Sequence, residues 1–212
     1  MATIPMKAEA VSIAILAKAP IPGLTKTRLH AALGPDGAAA LQQRLIQRAA
    51  ALAVEAGTGP VTLWAAPDDT HPLFHELRAR FRLRLAPQPP GDLGARMLAA
   101  LAGAGGPALV VGTDCPALSA KHLREAADAL RGGSDAVVIP VEDGGYALIG
   151  LRQPQPALFT DMPWGSSAVM GETRRRLVMQ DLHWREPVRL WDIDRPADLD
   201  RLRRDGPRGL LD

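Results

Sequence analysis

Short apolar runs of strand length alternate with segments of helical period along the whole chain, and few folds accommodate that rhythm. Runs at 11–17, 60–65, 82–86, 107–112, 135–140, 145–151 and 188–193 read as strands. Helix-length segments separate most of them, as in a mostly parallel sheet with helices on its faces. The class is therefore α/β. Asp36 is placed to cap a helix whose Leu41, Leu45, Ala49 and Leu52 share one face. Ser119 is placed to cap another, which carries Leu123, Ala127 and Leu130 and stops at Gly132 and Gly133. Shorter helices are expected at 70–80 and 94–104, and two more at 167–179 and 196–204. The rhythm breaks at 140–151, where Glu142-Asp143-Gly144-Gly145 separates two strand-like runs with no helix between them. A hairpin-like insertion beside the sheet's ligand end is expected there.

The 212 residues suit one domain over 10–204, with tails at 1–9 and 205–212. Charged residues make up 23% and hydrophobic ones 47%, close to the average for a soluble globular protein, so composition points to neither a disordered nor a membrane-embedded chain. No apolar run reaches the roughly 18 residues that a membrane span needs. The Val11 to Ala17 run is short, preceded by Glu9 and followed by Lys18, so it reads as a first core strand rather than a signal peptide. A formal charge of +2, with arginines scattered over 78–84, 174–176 and 201–204, argues against a nucleic-acid partner. Cys115, the lone cysteine, rules out an intrachain disulfide and any multi-cysteine metal site, and fits a reducing cytoplasm.

The chemistry-bearing residues cluster at predicted strand ends. Gly112-Thr113-Asp114-Cys115-Pro116 closes a buried run with one carboxylate, the position where α/β enzymes commonly hold a metal-bound ligand. A second acidic strand end, Trp191-Asp192-Ile193-Asp194-Arg195-Pro196, lies far downstream. Taken singly, Asp114 equally suits an Asx turn, and Asp194 a cap for the helix that Pro196 opens. The first strand runs into a loop from Lys18 to Leu29 that suits polyphosphate, with Gly23 allowing close backbone approach and Lys18, Lys26 and Arg28 supplying charge. It is not a Walker A loop, because Thr25 and Pro20 stand where that motif needs glycine. Gly91-Asp92-Leu93-Gly94-Ala95-Arg96 opens a helix with free amides.

Other schemes fail. Gly57-Thr58-Gly59 precedes a strand and lacks the third glycine of a dinucleotide fingerprint. Ser166 and Ser167 do not form a nucleophile elbow. His71 and His75 have helical metal spacing without the His-Glu-x-x-His pattern, and read as surface residues. His30, His122 and His183 stand alone.

Six ordered segments carry a resemblance: Ala17 to Leu29, Gly91 to Met97, Gly112 to Pro116, Glu142 to Tyr146, Trp164 to Ser167, and Asp192 to Leu199. Over about 190 residues, from Val11 to Arg203, the chain resembles the glycosyltransferase-A-like family DUF2064. Relatives of that family include the molybdenum-cofactor guanylyltransferases and the phospholactate or phosphoenolpyruvate guanylyltransferases of coenzyme F420 synthesis. The resemblance implies a three-layer α/β/α domain of the nucleotide-diphospho-sugar transferase (GT-A) fold, with a mostly parallel mixed sheet. It implies nucleotide held by Ala17, Lys18, Gly23, Lys26 and Arg28, and by Gly91, Asp92, Leu93, Gly94, Arg96 and Thr113. Asp114 falls on the family's metal-binding acid and Asp194 on a second acidic position, where Mg²⁺ or Mn²⁺ is expected. Arg195 stands where the family pattern has Thr. Gly165 and Ser166 fall on an acceptor-binding segment, here preceded by Trp164, and Glu142, Asp143, Gly144 and Gly145 form an acceptor wall or a further metal contact.

The expected activity is metal-dependent nucleotidyl transfer from a nucleoside triphosphate to a small phosphorylated acceptor. Lys26 and Arg28 would neutralise the leaving pyrophosphate, and Asp114 and Asp194 would hold the ion. Glycosyl transfer from a nucleotide sugar is the alternative, although the Gly-Thr-Asp-Cys-Pro turn holds a single acid where sugar transferases typically show Asp-x-Asp. A nucleotide-binding protein without catalysis is the third reading. The sequence leaves a homodimer open. A shared metal requires the Asp114 and Asp194 carboxylates to lie within roughly 6 Å of each other, on one face of the sheet.

Overall fold

A computed structural model describes residues 9–211. Strand β1 (Ser12–Lys18) lies at the centre of the sheet, between β2 (Val61–Ala66) and β4 (Ala108–Val111), both parallel to it; β3 (Arg84–Pro87) pairs parallel on the outside of β2. The complete order is β3-β2-β1-β4-β6-β5-β7. The expected hairpin is present: β5 (Ala136–Pro140) and β6 (Tyr146–Leu151) pair antiparallel, with an irregularity at Ile139 and Pro140, and β6 also runs antiparallel to β4. β7 (Trp184–Arg185) is a two-residue parallel edge on β5.

Alternation along β1 decides which helices cover which face. Ile13, Ile15 and Ala17 point into a cluster with α1 (His30–Ala56), α2 (Pro72–Phe81) and α4 (Ala120–Arg131). Ala14 and Leu16 point the other way, toward α3 (Leu93–Ala102) and α5 (Val169–Met179). The result is the three-layer α/β/α arrangement. Every residue of β4 and β5 is buried, as expected of strands covered on both faces. No helix among the described residues is long and apolar enough to cross a membrane.

Three expectations are corrected. The 188–193 run is not a strand: Pro187, with no N–H to donate, follows β7, and beyond it Leu190 makes only an isolated bridge with Val141. The first helix begins at His30, before Asp36. Its non-helical position is Gly34, at φ 68°, followed by Pro35, so the turn chemistry belongs to that pair rather than to a capping Asp36. His71, read as a surface residue, caps α2 by accepting the Leu73 N–H on Nδ1. Residues 205–211 do not form a loose tail. After α6 (Pro196–Asp205), Leu210 is 5% exposed and joins Leu29, Leu41, Leu45, Trp191, Ile193, Leu199 and Leu202 in a third apolar cluster. Residues 1–8 of the other tail fall outside the described residues. The Ser119 cap stands as read, accepting the His122 N–H at 3.3 Å.

Because that cluster anchors the segment carrying Asp192 and Asp194, Leu210→Ala should destabilise the fold by about 2 kcal/mol. Chemical denaturation checks this, and a change under about 0.5 kcal/mol would mean the terminus contributes no packing.

Candidate functional site

The chain leaves β1 toward β2 and β3 on one side and returns through β4 on the other, so β1 and β4 flank a topological switch point, where open α/β sheets bind ligands. A cavity of about 410 Å³ opens at their carboxyl ends. Leu16, Lys18 and residues 24–28 line it from the first strand and loop, Val110 and Gly112 to Asp114 from the fourth, Tyr146 and Ala147 from β6, and Asp194 from the downstream segment. Asp114 and Asp194 therefore face one cavity rather than opposite sides of the sheet.

The loop after β1 is held by burial at two points, Thr25 and Leu29, the latter within the third apolar cluster. Between them Lys26 adopts a left-handed backbone, φ 49°, which non-glycine residues take only when their surroundings enforce it. Here the enforcement is electrostatic. The Lys26 side chain is 5% exposed, and its ammonium lies 2.9 Å from Asp114 Oδ1 and donates to the Ile193 carbonyl at 2.6 Å. Arg28 pairs with Asp194. Each candidate acid is thus matched to a cation from the one loop. Lys18 lines the cavity but donates to the Leu24 carbonyl.

A second cavity, about 370 Å³, adjoins the first and shares Arg28 and Asp194 with it. Glu142, Asp143, Gly165 and Ser166 line it together with Asp192 and Arg201, so the structure brings most of the expected acceptor residues together. Gly144 makes this possible. At φ 96° it packs so closely on the Ser167 backbone that a Cβ would collide with the carbonyl oxygen, and its own oxygen accepts the Met170 N–H. Glu142 is committed to Arg201 through two hydrogen bonds, which hold its carboxyl below the usual range, and Arg201 also stacks over the Trp191 ring at 4.7 Å.

The Gly91 to Arg96 segment is only partly at the site. Leu93 lines the first cavity, 46% exposed. Asp92 caps α3 by accepting the Ala95 N–H, and Arg96 donates to the Gly91 carbonyl. Gly94 is a close-packing glycine: a Cβ there would lie 2.5 Å from the Phe159 carbonyl oxygen and 3.0 Å from the Trp164 ring. Ala17 is fully buried, offering only its carbonyl, which Gln88 engages. Gly23 turns the loop at φ 81° outside the cavity lining.

Asp192 received no role from the sequence. Burial, then the charges of Asp143 and Asp114, push its carboxyl up to about 6 against the pull of Lys26. Ile193, fully buried between Asp192 and Asp194, was the available signal: alternation about a buried residue sends both acids to the same side. Gln42, which also lines the first cavity, carried no signal, since it sits in an ordinary apolar pattern, and Tyr146, which lines it too, entered only as the end of the Glu142 to Tyr146 segment. Cys115 is buried, with its thiol pushed up to about 12, mainly by burial, so it is not a nucleophile. Among the described residues no group of three or more His, Cys, Asp or Glu side chains is arranged to hold a metal by itself.

Two substitutions separate these roles. Gly94→Ala should destabilise the protein by about 1–3 kcal/mol through overpacking, as read by thermal unfolding; unchanged stability would return Gly94 to the list of ligand contacts. For Asp192 the folded state binds the proton more tightly than the unfolded state, whose value is near 3.8. Stability is therefore lost as pH rises from about 4 to about 6, and the full penalty applies above that window. Asp192→Asn should stabilise the metal-free protein at pH 7.5 by about 1 kcal/mol, a fraction of the 1.36 kcal/mol per unit because solvent screens part of the charge, and the gain should vanish near pH 4. A melting-temperature difference independent of pH would contradict this.

Known structures give this architecture a context. A putative nucleotide-diphospho-sugar transferase from Desulfovibrio desulfuricans G20 superposes with a TM-score of 0.84 at 28% identity, covering 94% of this chain and 88% of that one. CMP:2-keto-3-deoxy-manno-octonic acid synthetase complexed with CTP gives 0.57 at 12% identity, over 92% and 98% of the two chains. Glucosyl-3-phosphoglycerate synthase from Mycobacterium tuberculosis, in complex with Mn²⁺, uridine diphosphate and glucosyl-3-phosphoglycerate, gives 0.53 at 13% identity, over 91% and 75%. At these identities the last two share the fold alone, which is the nucleotide-diphospho-sugar transferase fold. No curated protein sequence matches the chain. The family model described as "Uncharacterized protein conserved in bacteria (DUF2064)" matches residues 49–166, more than half of the 212, and the chain belongs to that family.

Proposed function

We propose that this protein is a divalent-metal-dependent, nucleotide-using transferase that moves a nucleotidyl group from a nucleoside triphosphate to a small acceptor. The observation that carries this is the meeting of two cavities at Arg28 and Asp194, one walled by the cationic loop and the other by the Glu142 to Gly145 turn and Ser166. The donor belongs in the first cavity, with Lys26 and Arg28 beside its phosphates and Leu24 and Leu93 at its apolar rim. The acceptor belongs in the second.

The residues present fit Mg²⁺ or Mn²⁺. Carboxylate oxygens suit hard cations, and Mg²⁺ commonly takes only one or two protein carboxylates, with substrate phosphates and water completing its shell. Asp114 and Asp194 would hold it, with the Asp143 and Asp192 carboxylates lining the adjoining cavity. Bound there, the ion would supply charge neutralisation at the phosphates. The chain's own residues do the rest. Arg28 stands at the junction of the cavities, where charge builds on a leaving pyrophosphate. An acceptor that is already ionised needs no base. For a hydroxyl acceptor, the Asp192 carboxylate, which lines the second cavity, is placed to accept the proton. A cytoplasmic setting fits the lone, buried, unpaired Cys115.

Glycosyl transfer from a nucleotide sugar is the second reading, supported by the description of the 28%-identical structure as a putative nucleotide-diphospho-sugar transferase. A thermal-shift panel of nucleoside triphosphates and nucleotide sugars, with and without Mn²⁺, separates the two. A ligand at 100 times its dissociation constant adds about 2.7 kcal/mol. We expect metal-dependent stabilisation of that order with a triphosphate, abolished in Asp114→Asn. A response confined to nucleotide sugars selects the second reading, and no response to any nucleotide defeats both.

A further inference from the structure

The two oxygens of the Asp114 carboxylate have different surroundings. Oδ1 has Lys26 Nζ at 2.9 Å and the Thr113 hydroxyl at 3.2 Å. Oδ2 accepts no hydrogen bond among the described residues. The asymmetry has a source deeper in the fold. Gln42, on α1 and only 3% exposed, donates its amide N–H to Thr113 Oγ1 at 3.1 Å, across 71 positions of sequence. An amide –NH₂ only donates, and a hydroxyl owns a single proton. A Thr113 oxygen that receives the Gln42 amide therefore keeps its proton for Asp114. The hydrogen bonds run in one direction, from Gln42 through Thr113 to Asp114 Oδ1.

Burying an amide and a hydroxyl is costly unless both are bonded, and here each bonds toward the cavity that they line with Asp114. We propose that Gln42 is a positioning residue for this site. Through the Thr113 hydroxyl it fixes the Asp114 carboxylate, with Oδ1 committed to the protein and Oδ2 left for the ligand. That the ligand is a metal-bound nucleotide rests on the transferase reading; the orienting role does not.

The variants are Thr113→Val, which removes the hydroxyl at equal size, Thr113→Ser, which restores it, and Gln42→Met. Gln42→Glu is the directional control, because its carboxylate accepts the Thr113 proton and draws it from Asp114. Isothermal titration measures Mn²⁺ binding in the presence of a non-hydrolysable triphosphate analogue, and analogue binding in EDTA. Removing an outer partner of a metal ligand typically weakens affinity 10- to 100-fold. Thr113→Val, Gln42→Met and Gln42→Glu should each weaken Mn²⁺ binding at least tenfold, by more than any change in analogue affinity in EDTA, whereas a merely structural role would weaken both alike. Thr113→Ser should restore it, and Gln42→Met should add nothing in the Thr113→Val background.

Crystal structures of the metal-free variants decide the orienting role even if no nucleotide binds. One Asp114 orientation is expected in the wild type and Thr113→Ser, and a second in Thr113→Val and Gln42→Met. A single unchanged orientation in all four overturns the proposal, as does Mn²⁺ affinity in the variants equal to that of a wild type that binds the ion. Failure of the wild type to bind any metal–nucleotide pair overturns the transferase reading instead.

Discussion

A buried ammonium without a counter-charge is among the least tolerable groups in a protein, and the site depends on how Lys26 avoids that state. Its Nζ takes the Ile193 carbonyl, 167 positions away, and the Asp114 carboxylate. Asp114 in turn offers its backbone oxygen to the Ile193 N–H at 2.9 Å. Three segments remote in sequence, the loop after β1, the turn after β4 and the stretch before α6, are therefore joined around one side chain. The left-handed backbone at Lys26 is held by this arrangement, since an extended loop at that point would carry the ammonium away from both partners.

The sheet supplies the place for that junction, and its antiparallel strand supplies the second half of the site. Parallel strands end on the same side, so β1 and β4 deliver Lys18 and Asp114 to one rim. β6 runs the opposite way between β4 and β5, so its amino end, Tyr146 and Ala147, reaches that rim too, with the preceding Glu142 to Gly145 turn beside it. A parallel strand in the same position would have placed its carboxyl end there and needed a crossover helix, leaving no short turn to pack on Ser167.

The architecture was legible because it is written in periodicity. Six of the seven expected strands and all six helices fall within a few residues of their places. The 188–193 run deceived because the alternation of Trp191 and Ile193 about Asp192 is genuine: both bury, but against α1 and α6, not within a ladder, and Leu190 makes only the isolated bridge. Alternation reports a buried side, not a hydrogen-bonded neighbour. Leu210 was missed for a related reason, since two apolar residues in a charged terminal stretch carry no period at all. At the site, acids and cations at strand ends could be named, but their pairing could not. Nothing local says that Lys26 meets Asp114 while Arg28 meets Asp194, because the pairing follows from the backbone at Lys26 and from where the last segment docks. Gly94 and Asp92 show the converse, residues with the right motif whose side-chain contacts are capping and packing.

The pairing bears on how ligands of opposite charge would enter under the proposed reading. A divalent cation arriving alone meets carboxylates already matched to Lys26 and Arg28, and a polyphosphate arriving alone meets cations matched to Asp114 and Asp194. Either one would have to displace an ion pair and leave a charge behind, and for the buried Lys26 such a residue of charge is expensive. A cation and a polyphosphate together exchange both pairs at once, carboxylate to metal and ammonium or guanidinium to phosphate, with no charge stranded. Internal ion pairs of this kind hold the loop in place without substrate and favour the complete metal–nucleotide pair over either part.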